Sequence, residues 1–155
     1  MRPLKEGMEA PDFELRDQDS KLHTLKCYGG KKIVLYFYPK DMTPGCTKEA
    51  CSFRDDFSEY KKRGIVVLGI SADTSDSHKR FTDKHKLPFT LLADTNRDVV
   101  KRYGVYGEKK FMGKTFRGIN RTTFLINEEG KIIKIYPKVD VGRHSKEILE
   151  FFDRH

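Results

Sequence analysis

Ile33-Val34-Leu35-Tyr36-Phe37-Tyr38-Pro39-Lys40-Asp41-Met42-Thr43-Pro44-Gly45-Cys46-Thr47-Lys48-Glu49-Ala50-Cys51 reads, without a break, as a strand, a turn and the first turns of a helix. The run Ile33 to Tyr38 is apolar without alternation, the pattern of a strand covered on both faces. Pro39 and then Pro44-Gly45 punctuate the chain after this run. Beyond the turn, Ala50, Phe53, Phe57 and Tyr60 recur at helical spacing, opposite Lys48, Asp55, Glu59 and Lys62, so one amphipathic helix is expected. A second unbroken apolar run, Ile65-Val66-Val67-Leu68-Gly69-Ile70, comes next. Strand, helix, strand predicts two central parallel strands joined by a crossover helix. Cys46 then falls at the N-terminal end of that helix. Unpaired backbone N–H groups and the positive end of the helix dipole favour a thiolate there, which makes Cys46 a candidate nucleophile.

Working outward, Asp76 to Lys86 carries a weaker helical pattern and Phe89-Thr90-Leu91-Leu92 a short strand. Arg97 to Tyr103 reads as a helix closed by Gly104. Arg121-Thr122-Thr123-Phe124-Leu125-Ile126 and Lys131-Ile132-Ile133-Lys134-Ile135-Tyr136 flank Asn127-Glu128-Glu129-Gly130, which predicts a hairpin forming an antiparallel edge. His144 to Phe152 closes the chain as a helix with Ile148, Leu149 and Phe152 on one face. Between Gly104 and Asn120, glycines are frequent and periodic apolar residues few, so a loop beside the functional face is expected. Together these elements predict an α/β sandwich: a central mixed β-sheet flanked by helices, in one domain covering residues 1–155. No internal repeat, low-complexity segment or linker interrupts it.

With 155 residues, 37% hydrophobic and 35% charged, the chain is long enough for one substantial core and too rich in aromatic and branched residues to be disordered. No stretch approaches the roughly 20 apolar residues of a membrane span, so no membrane partner is expected. Met1 to Gly7 lacks the apolar core of a signal peptide, which makes a cytoplasmic location the expectation. The formal net charge is +8, yet 31 basic residues are interspersed with 23 acidic ones. Only Lys61-Lys62-Arg63 and Lys109-Lys110 form short clusters, the mark of a solvated surface rather than a specific nucleic-acid interface.

Three cysteines, Cys27, Cys46 and Cys51, do not make an even disulfide framework. Cys46 and Cys51 supply only two ligands, and no second Cys pair or closely spaced His completes a tetrahedral zinc set, so no metal is expected. Disulfide reductases of the thioredoxin type place two residues between their cysteines, and four intervene here. Inert buried thiols are the remaining alternative. The Pro44-Gly45 turn speaks against it, because a helix start exposes backbone. On a regular helix the two residues are separated by about 7.5 Å of rise and about 140° of rotation, or roughly 8–9 Å between Cα atoms. A disulfide spans at most about 7 Å. The two could join only if the first turns unwound.

Pro39-x3-Thr43-x2-Cys46 resembles the active-site signature of the peroxiredoxins, and the string Phe37 to Cys51 is similar to that of their Q-type branch, the bacterioferritin comigratory proteins. Met8-Glu9-Ala10-Pro11-Asp12-Phe13, Tyr103-Gly104-Val105-Tyr106-Gly107-Glu108-Lys109 and Arg121 to Ile126 extend the resemblance over almost the whole chain. The resemblance implies a thioredoxin-like fold and thiol-dependent reduction of hydrogen peroxide and organic hydroperoxides, without metal, flavin or other cofactor. It implies Cys46 as peroxidatic thiolate, becoming a sulfenic acid. Arg121 is implied to stabilise that thiolate and polarise the peroxide. Thr43 would orient the peroxide, with helix capping as its other reading, and Pro39 would shield the thiolate. Glu49 would organise Arg121, an exposed helical glutamate being the alternative. Cys51 matches the resolving position, giving an intramolecular disulfide reduced by thioredoxin or a similar dithiol, and the lack of any later cysteine favours a monomer. Tyr106 stands where many relatives have tryptophan, a difference that bears on packing around the active-site loop, and Cys27 has no implied role. A redox sensor that relays oxidation to a partner is the rival built from the same cysteines.

Overall fold

The computed structural model describes residues 3–155 and carries nine strands and five α-helices. The strands of the main sheet are β1 (Glu14–Asp17), β2 (Leu22–Thr24), β3 (Lys32–Phe37), β4 (Ile65–Ser71), β5 (Thr90–Ala93), β8 (Thr122–Ile126) and β9 (Ile132–Tyr136), in the order β2-β1-β5-β4-β3-β8-β9. β3, β4 and β5 run parallel, as the two unbroken apolar runs required, and the remaining pairs are antiparallel. The hairpin β8–β9 forms one edge, and Gly130 takes the positive φ of 80° that its turn needs. The other edge, β1–β2, has no apolar alternation. Its turn is held by Asp17, whose Oδ1 accepts from the amides of Asp19 and Lys21.

Alternation along β3 divides the core. Ile33, Leu35 and Phe37 face one layer, covered by Val99, Val100 and Tyr103 of α4 (Asp98–Arg102) and its C-cap. Val34, Tyr36 and Tyr38 face the other, covered by α1 (Pro44–Asp55), α2 (Phe57–Lys62), α3 (Ser75–His85) and α5 (His144–Arg154) through Ala50, Phe53, Tyr60, Phe81, Ile148 and Phe152. Gly69 on β4 leaves space for the Tyr36 ring. A Cβ there would lie 2.8 Å from Tyr36 Cζ and 2.9 Å from Leu91 Cδ2.

Two expectations need correction. The single helix expected across Ala50 to Tyr60 is two, separated at Asp56 (φ −98°, ψ 6°). Consecutive Asp55 and Asp56 are weak helix formers, and Asp56 turns its carboxylate to Lys146 Nζ on α5 at 3.1 Å, so the apolar stripe continues through a turn. The segment expected as a loop from Gly104 to Asn120 is a two-stranded antiparallel ribbon, β6 (Tyr106–Phe111) and β7 (Lys114–Ile119). Its tip, Met112-Gly113, has both φ values positive, at 52° and 77°, the geometry that matches the twist of a tight hairpin. Few of its residues are buried, so no apolar alternation marked these strands. Among the described residues no helix is long and apolar enough to cross a membrane.

Candidate active site

β3 delivers the chain through Tyr38 and half-buried Pro39 into the turn before α1. That turn is held from beneath by Asp41, which is itself buried. Its carboxylate accepts from Tyr38 Oη at 2.6 Å and Ser77 Oγ at 2.8 Å, and pairs with His78 Nδ1 at 2.7 Å; its amide donates to Asp73 Oδ2 at 2.8 Å. His78 Nε2 bonds the Leu92 carbonyl at 2.9 Å, which requires the proton on Nε2. Asp41, Asp73 and His78 are close enough to share an ion, but each already serves this network. The next residue, Met42, sits at φ 67°, a left-handed conformation that a non-glycine residue keeps only when its surroundings impose it. Nothing in the sequence marked His78 or the anchoring role of Asp41, because their meeting depends on α3 packing over β5 and β1.

Thr43 is the N-cap residue of α1 and Pro44 its first helical position, a site where the missing N–H costs nothing. The Thr43 side chain does not cap the helix: Oγ1 donates to the Lys40 carbonyl at 2.8 Å. Gly45 and Cys46 amides therefore start the helix without a side-chain acceptor. Cys46, Glu49, Ala50 and Phe53 form the buried stripe of α1. Arg121, just before β8, reaches over this stripe. Its Nη1 donates to Glu49 Oε1 at 2.6 Å and its Nη2 to Cys46 Sγ at 3.4 Å. Gly45 permits the approach, since a Cβ there would stand 3.1 Å from Nη2.

Glu49 is not the exposed helical glutamate of the alternative reading; it is fully buried. Burial pushes its carboxyl up to about 7, against the pull of the Arg121 guanidinium. For Arg121 burial works against the charge, yet Glu49 and Cys46 more than offset it and hold the guanidinium above its ordinary range. The structure thus brings Thr43, Cys46, Glu49 and Arg121 to one place. Cys51 lies farther along α1, half-buried, beside a cavity of about 310 Å³ lined by Lys48, Ser52, Asp55, Asp56, Gly142 and Lys146. All three cysteines are free, and exposed Cys27 donates its thiol to the Thr24 carbonyl at 2.8 Å. Tyr106 packs away from the active-site turn, its ring beneath Arg117 at 5.2 Å and beside Lys101 of α4 at 5.8 Å.

A mixed sheet with a parallel centre, helices on both faces and a buried thiol in the first turn of the helix after β3 define a thioredoxin-like thiol protein. A family model described as AhpC/TSA matches residues 7–135. Peroxiredoxin Bcp of Escherichia coli is 46% identical over 155 residues, covering 100% of this chain and 99% of that one. Among solved structures, a cysteine-to-serine variant of PrxQ from Xylella fastidiosa superposes with a TM-score of 0.93 at 31% identity, over 100% of this chain and 99% of that chain. The bacterioferritin comigratory protein of Xanthomonas campestris, studied for alkyl peroxide reduction, gives 0.90 at 34%, over 97% and 99%. The chain belongs to the AhpC/TSA family, as a peroxiredoxin of the Bcp type and hence a thiol-dependent peroxidase.

Proposed function

We propose that Cys46 is the peroxidatic nucleophile and Cys51 the thiol that resolves it. The observation that carries this reading is the Cys46 sulfur, buried in the first turn of α1 with Arg121 Nη2 at 3.4 Å. The thiolate attacks one peroxide oxygen, the O–O bond breaks, and Cys46 becomes a sulfenic acid while water or an alcohol leaves. Thr43 has its proton committed to the Lys40 carbonyl, so its lone pairs are free to accept from the hydroperoxide O–H and orient it. The guanidinium of Arg121 and the uncapped amides of Gly45 and Cys46 stabilise charge on the departing oxygen. Glu49 fixes the guanidinium in place, and Pro39 shields the thiolate from water.

Cys51 then condenses with the sulfenic acid, releasing water and leaving a Cys46–Cys51 disulfide, which thioredoxin or a similar dithiol reduces. Hydrogen peroxide and organic hydroperoxides are the substrates; the alkyl peroxide reduction of the Xanthomonas relative supports the second class. No metal or flavin takes part. The protein works as a single-domain monomer in the cytoplasm.

Intact mass and peptide mapping after one equivalent of hydrogen peroxide test this. The expected product is two mass units lighter and linked between Cys46 and Cys51. Cys46→Ser abolishes turnover, whereas Cys51→Ser consumes about one peroxide per active-site thiol and then stops for want of recycling. Full activity in Cys46→Ser overturns the assignment. A slow reaction, or a link through Cys27, moves the function towards a redox sensor.

A further inference from the structure

Met42 stands at φ 67° between Asp41 and Thr43, and its own side chain does not hold it there, being 42% exposed. A left-handed backbone at a non-glycine residue costs free energy and persists only where neighbours impose it. On one side Thr43 Oγ1 donates to the Lys40 carbonyl at 2.8 Å, a bond internal to the turn. The other side is Asp41, and through it the turn is tied to the rest of the fold.

Asp41 is 4% exposed, and no lysine or arginine pairs with it among the described residues. A buried carboxylate stays in place only while donors satisfy it. Tyr38 Oη reaches it from three residues away in the chain, and Ser77 Oγ from the first turn of α3. His78 differs from both, because each of its ring nitrogens is engaged: Nδ1 lies 2.7 Å from Asp41 Oδ2 and Nε2 lies 2.9 Å from the Leu92 carbonyl of β5. With Nε2 donating to that carbonyl, a second proton lies between Nδ1 and Oδ2, at the separation of a strong hydrogen bond. The ring is fully buried, so water does not stand in for either bond. Leu92 in turn pairs with Ile70 of β4, whose carbonyl accepts from the Tyr38 amide at 3.1 Å. The bonds therefore run without a gap from the centre of the sheet through His78 to Asp41, two residues before Thr43.

We propose that His78 is a positioning residue for the reaction at Cys46: acting through Asp41, it fixes the turn of residues 40–43 to β5, and so sets where Thr43 meets the hydroperoxide and where α1 begins. It touches neither the sulfur nor the peroxide. Loss of the Nδ1 bond frees the buried carboxylate to turn towards water and Met42 to relax out of its left-handed conformation. Thr43 and the Gly45 and Cys46 amides then leave the geometry that the attack needs.

This inference rests on the roles proposed above for Cys46 and Thr43. Two substitutions separate the ring nitrogens, since an Asn amide occupies the place of Nδ1 and a Gln amide that of Nε2. His78→Gln keeps a donor for the Leu92 carbonyl and loses the Asp41 bond; His78→Asn does the reverse. Loss of the Cys46 thiol in a single turnover with hydrogen peroxide is read by quenched flow and mass, beside the urea midpoint. Both variants are expected to be destabilised, but the rate falls on the order of tenfold in His78→Gln alone. Asp41→Ala gives the same fall, and adding His78→Gln to it lowers the rate no further. Equal rates in the Asn and Gln variants, rates that follow the urea midpoint throughout, or additive losses in the double variant overturn the proposal and leave His78 a packing residue of α3. Amide hydrogen exchange over residues 40–46 reads the turn without peroxide: faster exchange in His78→Gln but not in His78→Asn is expected, and no difference between them overturns the positioning. Peroxide consumption by Cys46→Ser defeats the assignment of the nucleophile instead, and the exchange result then decides the link between His78 and the turn.

Discussion

Glu49 Oε1 lies 2.6 Å from Arg121 Nη1 inside a helix face that no water reaches, and its protonation follows from that setting. Burial raises the carboxyl from 4.5 to about 7 despite the guanidinium. The folded state therefore holds a proton that the unfolded chain has released at intermediate pH. The resulting stabilisation is fully present below 4.5 and is lost as pH rises through about 7. Urea unfolding of the wild type and Glu49→Gln across this interval is expected to show the wild type losing about 3 kcal/mol relative to the variant, the figure that two to three pKa units convert to. Parallel stability curves for the two proteins would show that the carboxyl is not shifted. Glu49 was legible as a site residue only through the resemblance, because its own position on α1 reads as one more charge on a helix. Cys46 was legible as a candidate nucleophile from local punctuation, a proline-bounded turn between an apolar strand and an amphipathic helix, whereas Thr43 and Pro39 entered as site residues, like Glu49, through the resemblance.

Helix α1 carries Cys46 and Cys51, the proposed redox pair, on a regular turn geometry, which keeps their Cα atoms roughly 8–9 Å apart and outside the span of a disulfide. Closing the bond must unwind the first turns, between Pro44 and Cys51. Such a loss is local in energy, because the anchors on either side belong to other elements. Asp41 is tied to α3 and to Asp73 beyond β4, and Phe53 is locked between Tyr36 and Tyr60, with ring centroids 4.9 and 5.8 Å away. Hydrogen exchange of the reduced and disulfide forms is expected to differ most over residues 44–51, with amides of β3 and β4 protected alike in both. Equal protection of α1 in the two forms would mean that the disulfide is made without unwinding, contrary to the helix geometry. The ribbon β6–β7 shows the opposite limit of legibility at this scale. Its strands mix charged and apolar residues on both faces, with Phe111 and Phe116 exposed, so period-two alternation, the signal that reveals a half-buried strand, is absent.

Across the whole molecule, Phe53 joins the site to the core. It is fully buried, and its ring meets Tyr36, Tyr60, Phe89 and His144, drawn from β3, α2, the approach to β5, and α5. Phe53→Ala is expected to cost about 3–5 kcal/mol, from lost transfer energy and the cavity left behind, measured by the shift of the urea midpoint at constant m. A cost below about 1 kcal/mol would mean that the two layers close over the gap and that α1 is not seated by this residue. The same packing keeps Cys46 in register with Arg121, so loss of peroxide reactivity is expected to accompany the loss of stability.

By itself, the sequence determined the two central parallel strands with helix between them, the β8–β9 edge, the closing helix and a candidate nucleophile, because each is written in local periodicity, turn residues or the properties of a helix N-terminus. The tertiary structure decided what no window of sequence contains. Arg121 meets Glu49 across 72 positions, His78 meets Asp41 across 37, and Lys109 crosses Gly118 to reach the Ile119 carbonyl. These are contacts that side chains make with groups on separate elements. Their existence depends on the order of strands in the sheet and on burial, which sets the charge that each group carries, and neither has a local signature in the chain.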